Sequence, residues 1–158
     1  MRKHIITQEH NKESSPAKQT TLDLQHLAQV ELTSEDEAFP IEGAFTAENG
    51  AGWLAAQPGE QTIRLLFDDP QQISRIKLTF REVGQERTQE FVLRWLPIGG
   101  QSYQEVVRQQ FTFSPPYTSE ESEEYAVNLN AVSALELTII PDISNSAARA
   151  SLALFQLS

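Results

Sequence analysis

From residue 28 to the carboxy terminus, apolar side chains recur at every second position. Val30 and Leu32 begin the series. Ile63, Leu65 and Phe67, then Ile76, Leu78 and Phe80, then Phe91, Leu93 and Trp95 continue it with mostly polar neighbours. Tyr103, Glu105, Val107, Gln109 and Phe111 form a looser run. Tyr125, Val127 and Leu129, then Leu135, Leu137 and Ile139, restore the regular alternation, and the chain closes on Leu152, Leu154 and Phe155. A period of two sends successive side chains to opposite faces, and one apolar face beside one wet face is the pattern of antiparallel sheet.

Turn chemistry separates the runs: Pro58-Gly59, Asp68-Asp69-Pro70, Gly84, Gly99-Gly100, Ser114-Pro115-Pro116 and Pro141-Asp142. About eight strands at this spacing predict an all-β fold, an antiparallel two-sheet jelly-roll sandwich. No segment predicts a helix of ordinary length. Leu22, Leu24 and Leu27 predict a short helical turn or lead-in packed on the body.

Composition agrees with one globular unit. The 158 residues are 39% hydrophobic, enough to bury a core. No apolar run approaches the ~18 residues of a membrane-spanning helix. Cysteine is absent, which excludes disulfides and thiolate metal sites. Residues 1–20 are polar, carry Arg2, Lys3, Lys12 and Lys18 against Glu9 and Glu13, and read as a flexible arm. The domain is expected over residues 21–158. The charge of −10 is therefore concentrated there: beyond residue 20 the chain has 8 basic and 20 acidic residues, a net of −12. Such a body repels phosphate backbones and anionic lipid, so neither nucleic acid nor a membrane is the expected partner. The opening MRKHIITQEHNKE has no apolar signal core, which leaves the location open and favours the cytoplasm.

Catalytic constellations are wanting. His4, His10 and His26 all precede the sandwich, so no histidine is available on a rigid strand for a nucleophile–base pair. Ser15-Pro16-Ala17-Lys18 has Ser-x-x-Lys spacing but falls in the arm. The carboxylate runs Glu35-Asp36-Glu37, Asp68-Asp69 and 120–124 read as solvated loops. Arg64, Arg75, Lys77, Arg81 and Arg94 share outward phases. They are read as charges that pair across strands, with Glu90 or Glu105, in preference to a docking stripe for an acidic partner.

The order of these features resembles the discoidin, or galactose-binding-like, jelly-roll superfamily, which includes coagulation-factor type C domains and family 32 carbohydrate-binding modules. The likeness spans residues 27–158. It is carried by the entry strand with Ser34, by Phe39-Pro40 and Ala44-Phe45, and by Gly52-Trp53 in the place of the family's core tryptophan. Pro58-Gly59 follows at its turn, Asp69-Pro70 at its next hairpin, and Phe91-Val92-Leu93-Arg94-Trp95 with Gly99-Gly100 and Tyr103 after it. Leu152-Ala153-Leu154-Phe155 stands at the closing strand. Trp53 is thus expected as a buried anchor at one end of the sandwich.

Many members of that superfamily hold calcium through an aspartate after the first strand, a threonine before the tryptophan and a glutamate in the last strand. Here those positions are Thr46-Ala47, Ala51 and Leu154, with only Glu48 and Asn49 nearby, so no metal and no cofactor is expected. The strand that usually carries an arginine near the end reads Leu135-Glu136-Leu137.

The resemblance implies a non-catalytic binding module recognising a carbohydrate through loops at one end: a ring stacks on the sugar while charged side chains bond its hydroxyls. The corresponding loops, 35–46, 81–88 and 114–123, supply Phe39, Glu42, Arg81, Glu82, Arg87 and Tyr117 as candidate ligand-binding residues. The alternative is a protein-interaction module using a sheet face or an edge strand. It draws on a likeness of Trp53-Leu54-Ala55-Ala56, Gly59-Glu60 and Ser114-Pro115 to the polymerase-binding amino-terminal domain of a DNA-repair scaffold of the same superfamily.

Overall fold

The structure, a computed structural model, describes residues 21–46 and 51–158. The expected arm, the Ser15–Lys18 string, and Glu48 and Asn49 lie outside the described residues. The described elements are α1 (Leu24–Leu27), β1 (Ala28–Leu32), α2 (Glu42–Phe45), β2 (Trp53–Pro58), β3 (Gln61–Arg81), β4 (Arg87–Pro97), β5 (Gln104–Phe113), β6 (Glu120–Ile140), β7 (Arg149–Leu152) and β8 (Leu154–Leu157). The lead-in leucines behave as expected: Leu24 is buried in α1, and the Leu22 amide donates to the Leu157 carbonyl.

Every strand pairing is antiparallel. The order is β1-β3-β6-β4-β5 with β8 added to β3, and β2 pairs separately with β7. The two long strands shape the molecule. Residues 61–66 of β3 lie between β1 and the second half of β6, whereas residues 76–79 lie between β8 and its first half. The ladder slips between Leu66 and Arg75, where Asp68, Asp69 and Pro70 are exposed. Beyond that bend the strands occupy the opposite layer. Phe80 of β3 meets Phe91 of β4 with ring centroids 5.1 Å apart, and Glu123 of β6 reaches Gln109 of β5. Neither contact follows a hydrogen-bonded ladder, so both cross between layers.

This corrects the sequence reading in two places. Residues 68–70 do not close a hairpin between separate strands. Pro70 removes an amide at the bend, where the ladder is interrupted, and β3 continues against the same partner. In the same way the 125–129 and 135–139 runs are halves of β6, bent near Ala131, whose φ is 54°.

Ile63, Leu65, Ile76, Leu78, Phe80, Phe91, Leu93, Leu135, Leu137 and Ile139 fill the space between layers, the inward phases expected from the alternation. Trp53 is 1% exposed, and its indole N–H donates to the Ser34 carbonyl at 3.1 Å. Gly52 is required before it. Its φ is +72°, and a Cβ would lie 2.7 Å from the Leu152 carbonyl oxygen, so only glycine lets β2 cross the β7–β8 turn this closely.

Candidate functional site

The loop between β1 and α2 is pinned to β2. The Asp36 amide donates to the Leu54 carbonyl at 2.8 Å, and the Leu54 amide to the Phe39 carbonyl at 3.2 Å. The Ala56 amide donates to the Ser34 hydroxyl oxygen, and the Ile41 amide to a Glu35 carboxylate oxygen. These bonds occupy backbone groups that would otherwise seek water, and they hold Phe39 in a fixed place with 37% of its surface exposed. Beside it opens a groove of about 330 Å3, lined by Phe39, Trp53, Leu54, Arg81, Val83 and the 151–153 turn. Val83 is 83% exposed.

The six candidate residues separate into groups. Phe39 and Arg81 share this groove. Glu42 lies across α2 in another hollow, of about 370 Å3, with Gln25, His26, Val30 and Phe45. Tyr117 stands 91% exposed on the turn that Ser114 and Thr118 close, next to the 81–87 loop through the Glu82 amide and the Ser119 carbonyl. Glu82 and Arg87 bind each other instead of facing outward. The Arg87 side chain is wholly buried; its Nε donates to Glu82 at 2.6 Å and its Nη1 to the Pro141 carbonyl at 2.7 Å and to Gln89 Oε1 at 3.1 Å. Its guanidinium carbon sits 4.7 Å from the centre of the Phe113 ring. Arg87 is therefore an interior strut, and its head group is not presented to a ligand at the loop surface.

Burial raises the Glu82 carboxyl, but the Arg87 hydrogen bond and the amides of Gly84 and Gln85 outweigh it and leave Glu82 below its ordinary range. Asp142, which accepts from the Ser144 amide, is lowered too.

Residues 120–124 form the start of β6 and not a solvated loop. Glu120 and Glu124 face water, but Glu121 is 2% exposed and Glu123 is half-buried. Burial first, then contact with Glu123, push the Glu121 carboxyl up to about 8. Glu123 accepts from Gln109 Nε2 at 2.7 Å, and the Tyr125 hydroxyl donates to the same amide's oxygen. The phase of the strand carried the signal: Glu121 is in step with Tyr125, Val127 and Leu129. Gln89 is likewise in step with Phe91 and Leu93. Val83 and the 151–153 turn had no such signal, because their place in the groove depends on loops that meet only in three dimensions.

The outward arginines are paired. Arg64 binds Glu136 at 2.8 Å, Arg94 binds the same carboxylate at 3.4 Å, Arg75 binds Glu124, and Arg81 binds Glu120 at 3.1 Å. Cross-strand pairing was the expected reading, although the partners differ from those expected, since Glu90 and Glu105 are taken by Arg108. Among the described residues no three His, Cys, Asp or Glu side chains group to hold a metal ion. No helix there is long and apolar enough to cross a membrane.

No protein-family model matches the chain, and no curated protein matches it. Solved structures do. The family 32 carbohydrate-binding module of Clostridium perfringens NanJ in complex with galactose superposes with a TM-score of 0.63 at 15% identity, covering 87% of this chain and 97% of that one. The family 32 module of AlyQ in complex with 4,5-unsaturated mannuronic acid gives 0.61 at 17% identity, covering 89% and 98%. Reduced XRCC1 bound to the DNA polymerase β catalytic domain gives 0.60 at 13% identity, covering 84% and 95%. At these identities the likeness is one of fold: the chain has a jelly roll like that of these solved structures.

Proposed function

We propose that this protein is a non-catalytic carbohydrate-binding module whose ligand enters the groove between Phe39, Arg81 and Val83. The observation that carries the reading is the Phe39 ring, part-exposed on a loop fastened to β2 and set beside a guanidinium at the loop end of the jelly roll. A sugar ring has an apolar C–H face and a polar rim. Phe39 and Val83 suit the first, and Arg81, paired with Glu120 through its Nε, suits a hydroxyl or carboxylate on the second. Modules of the same fold bound to galactose and to an unsaturated mannuronic acid lend support of the same kind. Tyr117, exposed on the turn next to the 81–87 loop, would extend the contact to a second sugar unit.

A competing reading takes the same groove as a protein-docking patch and draws on the apolar side chains Phe39, Leu54 and Val83. The test is a glycan array followed by calorimetry on the best ligand, with wild type, Phe39→Ala and Tyr117→Ala. Loss of the ring should weaken binding by about tenfold, ~1.4 kcal/mol. Folded protein that binds no glycan, or a Phe39→Ala variant that binds equally well, overturns the reading.

A further inference from the structure

Four polar atoms are sealed inside the loop end of the sandwich with no hydrogen-bond partner among the described residues: Arg87 Nη2, Gln89 Nε2 and both carboxylate oxygens of Glu121. Each costs desolvation energy unless something satisfies it. Glu121 and Glu123 are two residues apart on one inward face of β6 and lie in side-chain contact. Two ionised carboxylates offer only acceptors to each other. One proton between them turns that contact into a hydrogen bond and removes the charge of the buried Glu121 from beside that of the half-buried Glu123.

Of the groups that face this pair, Arg87 alone favours the ionised Glu121, and its charge is engaged elsewhere. From its own strand comes the Tyr125 hydroxyl, itself held in the protonated form by burial and by the two glutamates. From β5 comes Gln109, whose amide hydrogens serve Glu123. From β4 comes Arg87, whose charge reaches Glu121 but is committed by direct contacts to Glu82, Gln89 and the Pro141 carbonyl. Glu82 and, beyond Pro141, Asp142 face Arg87 and offset its charge further. From β3 come only Ile76, Leu78 and Phe80, which carry no charge.

We propose that Glu121 and Glu123 share one buried proton, and that this proton is a latch holding the start of β6 against β4 and β5. Neutral Glu121 donates to Glu123 and closes the layers over Arg87. Opening this end lets Glu121 meet water and ionise, so a rising pH favours opening. The latch bears on the 81–87 loop and its neighbour 114–119, because the Glu82 amide bonds the Ser119 carbonyl and Arg81 pairs with Glu120, the residue before Glu121. Its test needs no ligand and stands apart from the carbohydrate reading.

The sign follows from linkage. The carboxyl is raised in the closed form to about 8, and its ordinary value is 4.5. Closure is therefore strongest below pH 4.5 and weakens through the window up to about 8, beyond which it levels off. Hydrogen exchange of residues 82–88 and 114–122, corrected for intrinsic rate, should speed up by as much as about tenfold per pH unit between pH 5 and 8. Glu121→Gln keeps the shape and supplies a permanent N–H to Glu123, so its corrected exchange should be flat over that window. A 13C titration of the Glu121 side-chain carboxyl in the wild-type protein reads the same proton even if the variant fails to fold. A Glu121 carboxyl that titrates at its ordinary value overturns the proposal, and so does equal pH dependence in wild type and variant. Calcium-dependent protection of wild type that Glu121→Gln lacks would place a cation where the proton is assigned, and would overturn it as well.

Discussion

Arg87 offers the sharpest quantitative test of how this fold is held. Its side chain is wholly buried, and it ties the 81–87 loop through Glu82, β4 through Gln89 and the chain beyond β6 through the Pro141 carbonyl. Arg87→Ala removes all three bonds together with the guanidinium packed on Phe113. It leaves Glu82 without its counter-charge and the Pro141 carbonyl without a donor. Truncating one partner of a buried, hydrogen-bonded pair costs roughly 3–5 kcal/mol, because the other partner stays behind desolvated. At this chain length that is a fall in Tm of roughly 6–20 °C. Arg87→Met with Glu82→Gln removes both charges while keeping most of the volume, so it should recover more than half of that loss. Urea unfolding followed by tryptophan fluorescence reads both variants, with comparison of midpoints valid only if the slope m is unchanged. If Arg87→Ala unfolds within about 1 kcal/mol of wild type, or if the paired variant is no better than the single one, the argument from desolvation is wrong.

Two further predictions follow from backbone geometry and from charge. Gly52→Ala places a Cβ 2.7 Å from a backbone oxygen in a left-handed conformation, so it should destabilise by ~2 kcal/mol or more in a urea titration; a neutral result would mean the β7–β8 turn yields easily. Glu82 and Asp142 are held below their ordinary values in the fold. Their contribution is complete above the ordinary carboxylate range and is lost as pH falls through the depressed values, the opposite sign to Glu121. Acid unfolding should therefore be shallower for Glu82→Gln than for wild type below about pH 4.5, and identical acid limbs would remove Glu82 from the explanation.

The local pattern carried much of this protein. A period of two in Ile63–Phe67, Ile76–Phe80, Phe91–Trp95 and Leu135–Ile139 specifies which side chains meet, since a pleated strand has only two faces. The buried Trp53 and the glycine before it were legible through the family resemblance, and the pairing of the outward charges through their shared strand phase. The polar interior was legible in part: Glu121 and Gln89 lie on inward phases, but a run of five residues containing four carboxylates reads by composition as a wet loop.

Tertiary structure decided the remainder. Asp68-Asp69-Pro70 looks like a hairpin turn, yet a bend and a reversal present the same residues to the solvent; only the partner strand, which bends along with β3, tells them apart. Phe39, Arg81 and Val83 are brought to one groove by bonds from 36 to 54, from 54 to 39 and from 82 to 119. Arg87, six residues beyond Arg81, turns inward because β4 begins there and its first side chain points to the core. A sequence sets which face each residue takes along its own strand. Which loops meet, and which charges are then sealed from water, depends on how distant strands stack.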